Sequence, residues 1–168
     1  MTAALHLIAV GAFAALMAMA AFEDFRRFVI PNWLILALIA VWPLFVLAGT
    51  AAFAAALGAL AIAAAVFLVG ALLFGRGLVG GGDVKLLTVA ALWAGPAATP
   101  ELLVVTAALG GVLSLVLLSP LGAHLSFAGR LFLGAPGAPA TVGKRVPVPY
   151  GIAIAGGALF VTLQPFFG

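Results

Sequence analysis

The chain has 168 residues, of which 67% are hydrophobic and only 7% charged, with a mean hydropathy of +1.39. A soluble domain carries about a quarter charged residues, so this composition excludes a water-soluble globule and points to an integral membrane protein. The formal charge of +3 does not signal nucleic acid, since no basic patch interleaved with aromatics exists, and the absence of Cys excludes a disulfide framework, a thiolate metal site and a thiol nucleophile.

The apolar runs lack period-two alternation, so the expected fold is all-α, a polytopic helical membrane protein rather than a barrel. The first run, about Thr2 to Phe22, has spanning length, since about 20 residues cross the hydrocarbon core. It ends at Glu23-Asp24-Phe25-Arg26-Arg27 rather than at a small-residue cleavage site, which argues against a removed signal peptide. A second run starts at Pro31, a good first helical residue, and reaches about Leu47, before a turn at Gly49-Thr50. The third, Ala51 to Phe74, places Ala55, Gly58 and Ala59 at spacings that allow close helix packing. A glycine-rich loop follows, and Asp83 opens a short fourth segment to about Trp93, closed by Gly95-Pro96. The shortness suits a helix that begins below the membrane surface, where polar backbone is tolerated only against protein or water. Glu101 starts a fifth run to about Leu118. Residues 121–146 read as a Gly- and Pro-rich connection with a short interfacial helix at His124 to Leu133, and the sixth run covers about Val148 to Phe167.

Six transmembrane helices put the connections alternately on two sides. All seven Lys and Arg (Arg26, Arg27, Arg76, Lys85, Arg130, Lys144 and Arg145) then fall on one side, while Glu101 and both termini fall on the other. By the positive-inside rule the basic side is cytoplasmic and the termini are not. This predicts a multi-pass plasma-membrane protein with Asp24 and Asp83 on its cytoplasmic face.

In Gly77-Leu78-Val79-Gly80-Gly81-Gly82-Asp83-Val84-Lys85-Leu86-Leu87, three successive glycines precede a carboxylate at the mouth of an apolar segment. One reading is a helix capped by Asp83 after a flexible loop. The other is a carboxylate beside a glycine-lined channel, where an extended peptide can lie against backbone without Cβ atoms. Ionisable groups at membrane depth are functional candidates by default, and Asp24 is the second. Two carboxylates at one depth suggest the aspartic-protease arrangement, in which the pair shares a proton, one acid activates a water, and the other binds the scissile carbonyl. Against this, Glu23-Asp24 beside Arg26-Arg27 also fits a solvated interfacial cluster. Glu23 is assigned no catalytic role, and Lys85 is read as a structural or electrostatic support. His6 and His124 lack ligand-spaced partners, so no metal site is expected, and Ser114, Ser119 and Ser126 lack a base. Trp33, Trp42 and Trp93 read as interfacial belt or core residues.

Gly80-Gly81-Gly82-Asp83-Val84-Lys85-Leu86 resembles the Gly-x-Gly-Asp signature of the type IV prepilin leader peptidases, the bacterial membrane-embedded aspartic proteases. Asp24-Phe25-Arg26-Arg27-Phe28-Val29-Ile30-Pro31-Asn32 is similar to the family's first motif, and Val148-Pro149-Tyr150-Gly151-Ile152-Ala153 to the segment that opens its last helix. The resemblance implies that Asp24 and Asp83 are the catalytic pair. It gives supporting or substrate-binding roles to Pro31, Asn32, Gly80, Gly81, Gly82, Lys85, Pro149, Tyr150 and Gly151. It also implies prepilin or pseudopilin substrates, cut between a short basic leader and an apolar mature helix. Residues 1–168 read as one peptidase domain without the N-terminal cytoplasmic region or Cys pairs of larger members, so no methyl-donor cofactor is expected. This resembles the short enzymes of tight-adherence (Flp-type) pilus systems. Two other readings use the same residues: a small proton- or ion-coupled carrier with Asp24 and Asp83 as ion-binding carboxylates, and a structural membrane subunit with both Asp at the interface. The expected partners are the prepilin and the lipid bilayer; oligomeric state is not legible.

Overall fold

A backbone surrounded by apolar side chains has no water to bond, so its N–H and C=O groups must be satisfied within the segment. The computed structural model describes residues 2–48, 53–119 and 148–164, and these are helical almost throughout. The elements are α1 (Thr2–Arg27), α2 (Asn32–Ala48), α3 (Phe53–Gly75), α4 (Gly81–Leu118) and α5 (Tyr150–Leu163). By length and apolarity α1, α3 and α4 are long enough to cross a membrane, whereas α2 and α5 are shorter apolar helices. The expected turn at Gly49-Thr50, the connection 121–146 with Arg130, Lys144 and Arg145, and the end of the sixth run lie outside the described residues.

The distribution of side chains confirms the solvent. Leu36, Leu47, Leu68, Leu72, Val104 and Leu115 are all more than 60% exposed, while Asp24 is buried. A contiguous apolar exterior of this kind would aggregate in water and suits a bilayer. This is a membrane protein.

The fourth and fifth runs are not separated by a loop, as the sequence suggested; they form one element, α4, broken at Gly95 (φ 69°, ψ 179°). That backbone conformation is open essentially to glycine alone. Pro96 follows as the first residue of the second arm, where a missing N–H costs nothing, and the Thr99 hydroxyl donates to the Gly95 carbonyl at 2.6 Å. The arms fold back on each other. Leu87 and Thr106 border one cavity, although in a straight helix that spacing would separate them by about 28 Å.

α4 is the centre of the bundle, packed on α3 and α5, with α2 also touching it, while α1 packs on α2 and α5. Small residues set the α3–α4 approach. A Cβ on Gly70 would stand 2.7 Å from Val84 Cγ1 and one on Gly58 3.0 Å from Pro96 Cγ, while Ala59 and Ala63 bury against Leu92. The stripe expected at Ala55, Gly58 and Ala59 is thus a packing face through Gly58 and Ala59. Trp93 ties three helices together. Its indole stacks on Phe13 of α1 with centroids 4.4 Å apart, lies near Phe45 of α2, and donates Nε1–H to the Leu38 carbonyl at 3.1 Å. It is therefore a core residue, whereas Trp33 is exposed. α3 ends in a Schellman motif: Gly77 (φ 70°) donates to the Phe74 carbonyl and Leu78 to the Leu73 carbonyl.

The vertex at Gly95 yields a paired test. Nothing lies within 4 Å of a Cβ at Gly95 or at Gly111, so neither Gly→Ala change creates a clash. Gly95→Ala should nevertheless lose about 1–3 kcal/mol to backbone strain, seen as a lower thermal midpoint in detergent micelles. Gly111→Ala, inside a regular helix, should be neutral or gain up to about 1 kcal/mol. Equal stability of the two variants would contradict a glycine-only vertex.

Candidate active site

Asp24 sits in the last turn of α1, where Arg26 and Arg27 suit the negative end of the helix dipole and an acid does not. Asp24 is 5% exposed, and a buried charge needs hydrogen-bond partners. The partner comes from the other end of the sequence. The Gly151 backbone N–H donates to Asp24 Oδ2 at 2.7 Å. Gly151 is the second residue of α5, whose N-cap, Pro149, offers no side-chain acceptor. Asp24 thus supplies from α1 the acceptor that a Ser or Asp N-cap would otherwise give α5, and it faces the positive end of that helix. Gly151 has no room for a side chain: a Cβ there would lie 2.7 Å from Asp24 Oδ2 and 2.9 Å from its Cβ.

Asp83 is held by the same device, by a shorter route. The sequence suggested Asp83 as the N-cap of its helix, but the cap is Gly80, with α4 starting at Gly81. Asp83 is then the third helical residue, and its side chain turns back onto the Gly80 backbone N–H, the reach-back half of a capping box. Gly80 is constrained by it, since a Cβ there would meet Asp83 Oδ2 at 2.7 Å. Of the other two glycines, a Cβ on Gly81 would press on the Phe74 ring at 3.2 Å, while one on Gly82 would make only ordinary contact with Ile30.

Both carboxylates border one half-open cavity of about 480 Å³. Gly80, Gly81, Gly82, Lys85 and Asn32 also line it. Lys85 Nζ donates to Asn32 Oδ1 at 3.0 Å, joining the start of α2 to the start of α4 across the cavity mouth. The remaining expected residues stand outside. Pro31 precedes α2 and accepts the Leu34 N–H. Pro149 is buried at the start of α5. Tyr150 turns away to cover Gly110, with its hydroxyl 3.3 Å from Ser114 Oγ. Glu23, half-buried, pairs along the helix with the exposed Arg27 at 3.4 Å.

Sequence reasoning assigned no role to Phe28, Val29, Ile30 and Val148, all of which line the cavity. For the first three the signal was position alone, between Asp24 and Pro31. Phe28 ends α1 with φ 54°, a strained conformation for a bulky residue, and it swings the chain from Asp24 over the cavity to α2. Among the described residues no three His, Asp or Glu side chains come together, so the acidic chemistry present is that of two carboxylates, each on a helix N-terminal amide.

The family model that matches the chain, over residues 11–115, is the type IV leader peptidase family. No curated protein and no solved structure gives a significant match.

The fit at Gly151 is open to measurement. Gly151→Ala should displace the Asp24 carboxylate from its amide and cost about 1–3 kcal/mol, lowering the thermal midpoint in micelles. Gly156→Ala on the same helix meets only the end of the Leu109 side chain, at 2.9 Å, and should cost far less. The reverse order would show that the contact is not structural.

Proposed function

The chain belongs to the type IV leader peptidase family, and from that premise we propose that it is a membrane-embedded aspartic endopeptidase. It removes the short basic leader from prepilins or pseudopilins, with Asp24 and Asp83 as the catalytic pair. The observation that carries this reading is the placement of both carboxylates, from separate helices, on one half-open polar cavity. Peptide hydrolysis needs a water, a group to take its proton, and a group to hydrogen-bond the scissile carbonyl and then protonate the leaving amine. Two carboxylates that share one proton supply both groups. The glycines at 80–82 form a wall without side chains, against which an unwound stretch of substrate can lie. Catalytic geometry often tightens only on binding, so closure of the cavity around the substrate is the expected gating step.

In this proposal the two arms of α4 count separately and six helices span the plasma membrane. Arg26, Arg27 and Lys85 stand at the ends of α1 and α4 that meet at the cavity, and Arg76 lies in the turn that leads from α3 into α4, which supports a cytoplasmic site under the positive-inside rule. The carrier reading gains no support from the family match.

Co-expression with a candidate prepilin, followed by gel shift of the leader, tests the assignment. Asp24→Asn and Asp83→Asn keep the volume but cannot shuttle the proton. Each should reduce cleavage at least about 10³-fold, as expected when an essential general acid–base group is lost, with membrane insertion intact. Glu23→Gln should stay near the parental rate. Retained cleavage in either Asn variant removes that residue from the pair.

A further inference from the structure

Among the described side chains that border the polar cavity, Lys85 is the one cation. A cation placed to hold the acids would pair with them, and Lys85 pairs with neither. Among the described residues its ammonium makes a single hydrogen bond, to Asn32 Oδ1. Residues two apart on a helix point to opposite sides, so Asp83 and Lys85 look away from each other. The cavity wraps around the bare start of α4 between them, at Gly80, Gly81 and Gly82. An ammonium carries three donors, and Asn32 takes one of them. A second, largely apolar cavity of about 500 Å³ shares Gly80, Asp83 and Val148 with the first, so Asp83 stands in the partition between them. Apart from Asp83, the polar side chains on that second cavity are the hydroxyl-bearing Thr106 and Tyr150, and no cation borders it.

Hydrolysis adds a charge to this arrangement. The oxygen of water joins the scissile carbonyl carbon, one water proton passes to the unprotonated acid, the proton of the other acid passes to the nitrogen, and the C–N bond breaks. The pair then holds one proton again. The new carboxylic acid gives its own proton to the new amine, which leaves an anion beside a pair that is itself negatively charged. A carboxylate is costly away from water and cations, and the ammonium on the polar cavity is its complement. We propose that Lys85 binds the carboxylate that hydrolysis creates, the new C-terminus of the departing leader. Asn32 holds the ammonium at rest, and the exposed side chain swings from it to the product. This rests on the endopeptidase reading and adds to it a product-binding residue and an exit side: the leader leaves through the polar cavity, past Lys85.

The test measures inhibition of prepilin cleavage, in detergent micelles, by the free leader peptide made in two forms, one ending in a carboxylate and one in a carboxamide. The parent protein should bind the carboxylate form about 3–10-fold more tightly, between the effect of an exposed ion pair and that of a charge-assisted hydrogen bond in an enclosed site. Lys85→Gln keeps a donor for Asn32 but loses the charge, so repulsion by the acid pair should reverse the preference in favour of the carboxamide. Lys85→Arg should keep the preference for the carboxylate. Asn32→Ala should keep it too, because the ammonium and not its resting partner is the binding group. Arg76→Gln removes an exposed cation that does not border the cavity and should leave the preference unchanged. Where Lys85→Gln cleaves too slowly to follow, calorimetric titration with the same two leaders gives the comparison directly. An unchanged carboxylate preference in Lys85→Gln, an equal loss of it in Asn32→Ala or Arg76→Gln, or a parent that cleaves but does not distinguish the two leaders overturns the assignment and leaves the peptidase reading intact. A parent protein that cleaves no prepilin overturns the peptidase reading and the product site with it.

Discussion

The hydrogen bond from Gly151 to Asp24 organises this molecule. It satisfies two needs at once. An acid buried at the wrong end of its own helix requires a donor, and a helix whose cap is proline requires an acceptor for an orphan N–H. The two groups are 127 residues apart in sequence. Their meeting fixes the end of α1 against the start of α5, and through α5 against the second arm of α4. Asp83 repeats the arrangement locally, at the start of the first arm. The cavity therefore lies where two helix N-termini converge, each with a carboxylate on its first turn. Backbone amides are donors that cannot rotate away, and among the described residues it is amides rather than cations that hold both acids. Lys85, which lines the same cavity, donates to Asn32 instead.

The glycines sort into different physical roles although the sequence presents them alike. Gly95 and Gly77 are needed for positive φ, at a vertex and at a helix end. Gly70, Gly80 and Gly151 are needed because something lies where a Cβ would be. Gly82 and Gly111 meet neither requirement. The vertex has the widest consequence. Without it the first arm would run on past the bundle, and the wall that Thr106 and Ile154 give the apolar cavity would be missing.

Much of this was legible beforehand, for reasons that can be named. Composition gave a helical membrane protein, because only complete internal hydrogen bonding survives in lipid. The boundaries of the first three apolar runs lie within a few residues of α1, α2 and α3, because charges, proline and glycine mark them. Asp24 and Asp83 stood out because acids are scarce in such a chain, and the glycine run indicated the wall beside Asp83. What the sequence did not reveal was set by tertiary contact. Asp83 looks like an N-cap, and only the backbone shows the cap three residues earlier at Gly80. Gly95-Pro96 looks like a loop, yet helix resumes at once because proline suits the first position of the second arm. Tyr150 belongs to the same short motif as Gly151, but successive helical residues point about 100° apart. One therefore meets Asp24 while the other covers Gly110. The lining by Phe28, Val29 and Ile30 follows from a left-handed turn at Phe28 that no residue preference predicts.

The partition at Asp83 bears on a problem that any hydrolase within a membrane must meet. Water has to reach the bond, and the flanking apolar segment has to stay out of water. A single polar cavity would solvate both, and a single apolar one would exclude the nucleophile. Two cavities that share Asp83, Gly80 and Val148 separate the requirements at the position of one residue. Gly80 is the point at which the separation is thinnest. A Cβ there would meet Asp83 Oδ2 at 2.7 Å, so its absence lets the carboxylate fold back onto its amide. The same constraint accounts for why a glycine, rather than a better capping residue, caps α4.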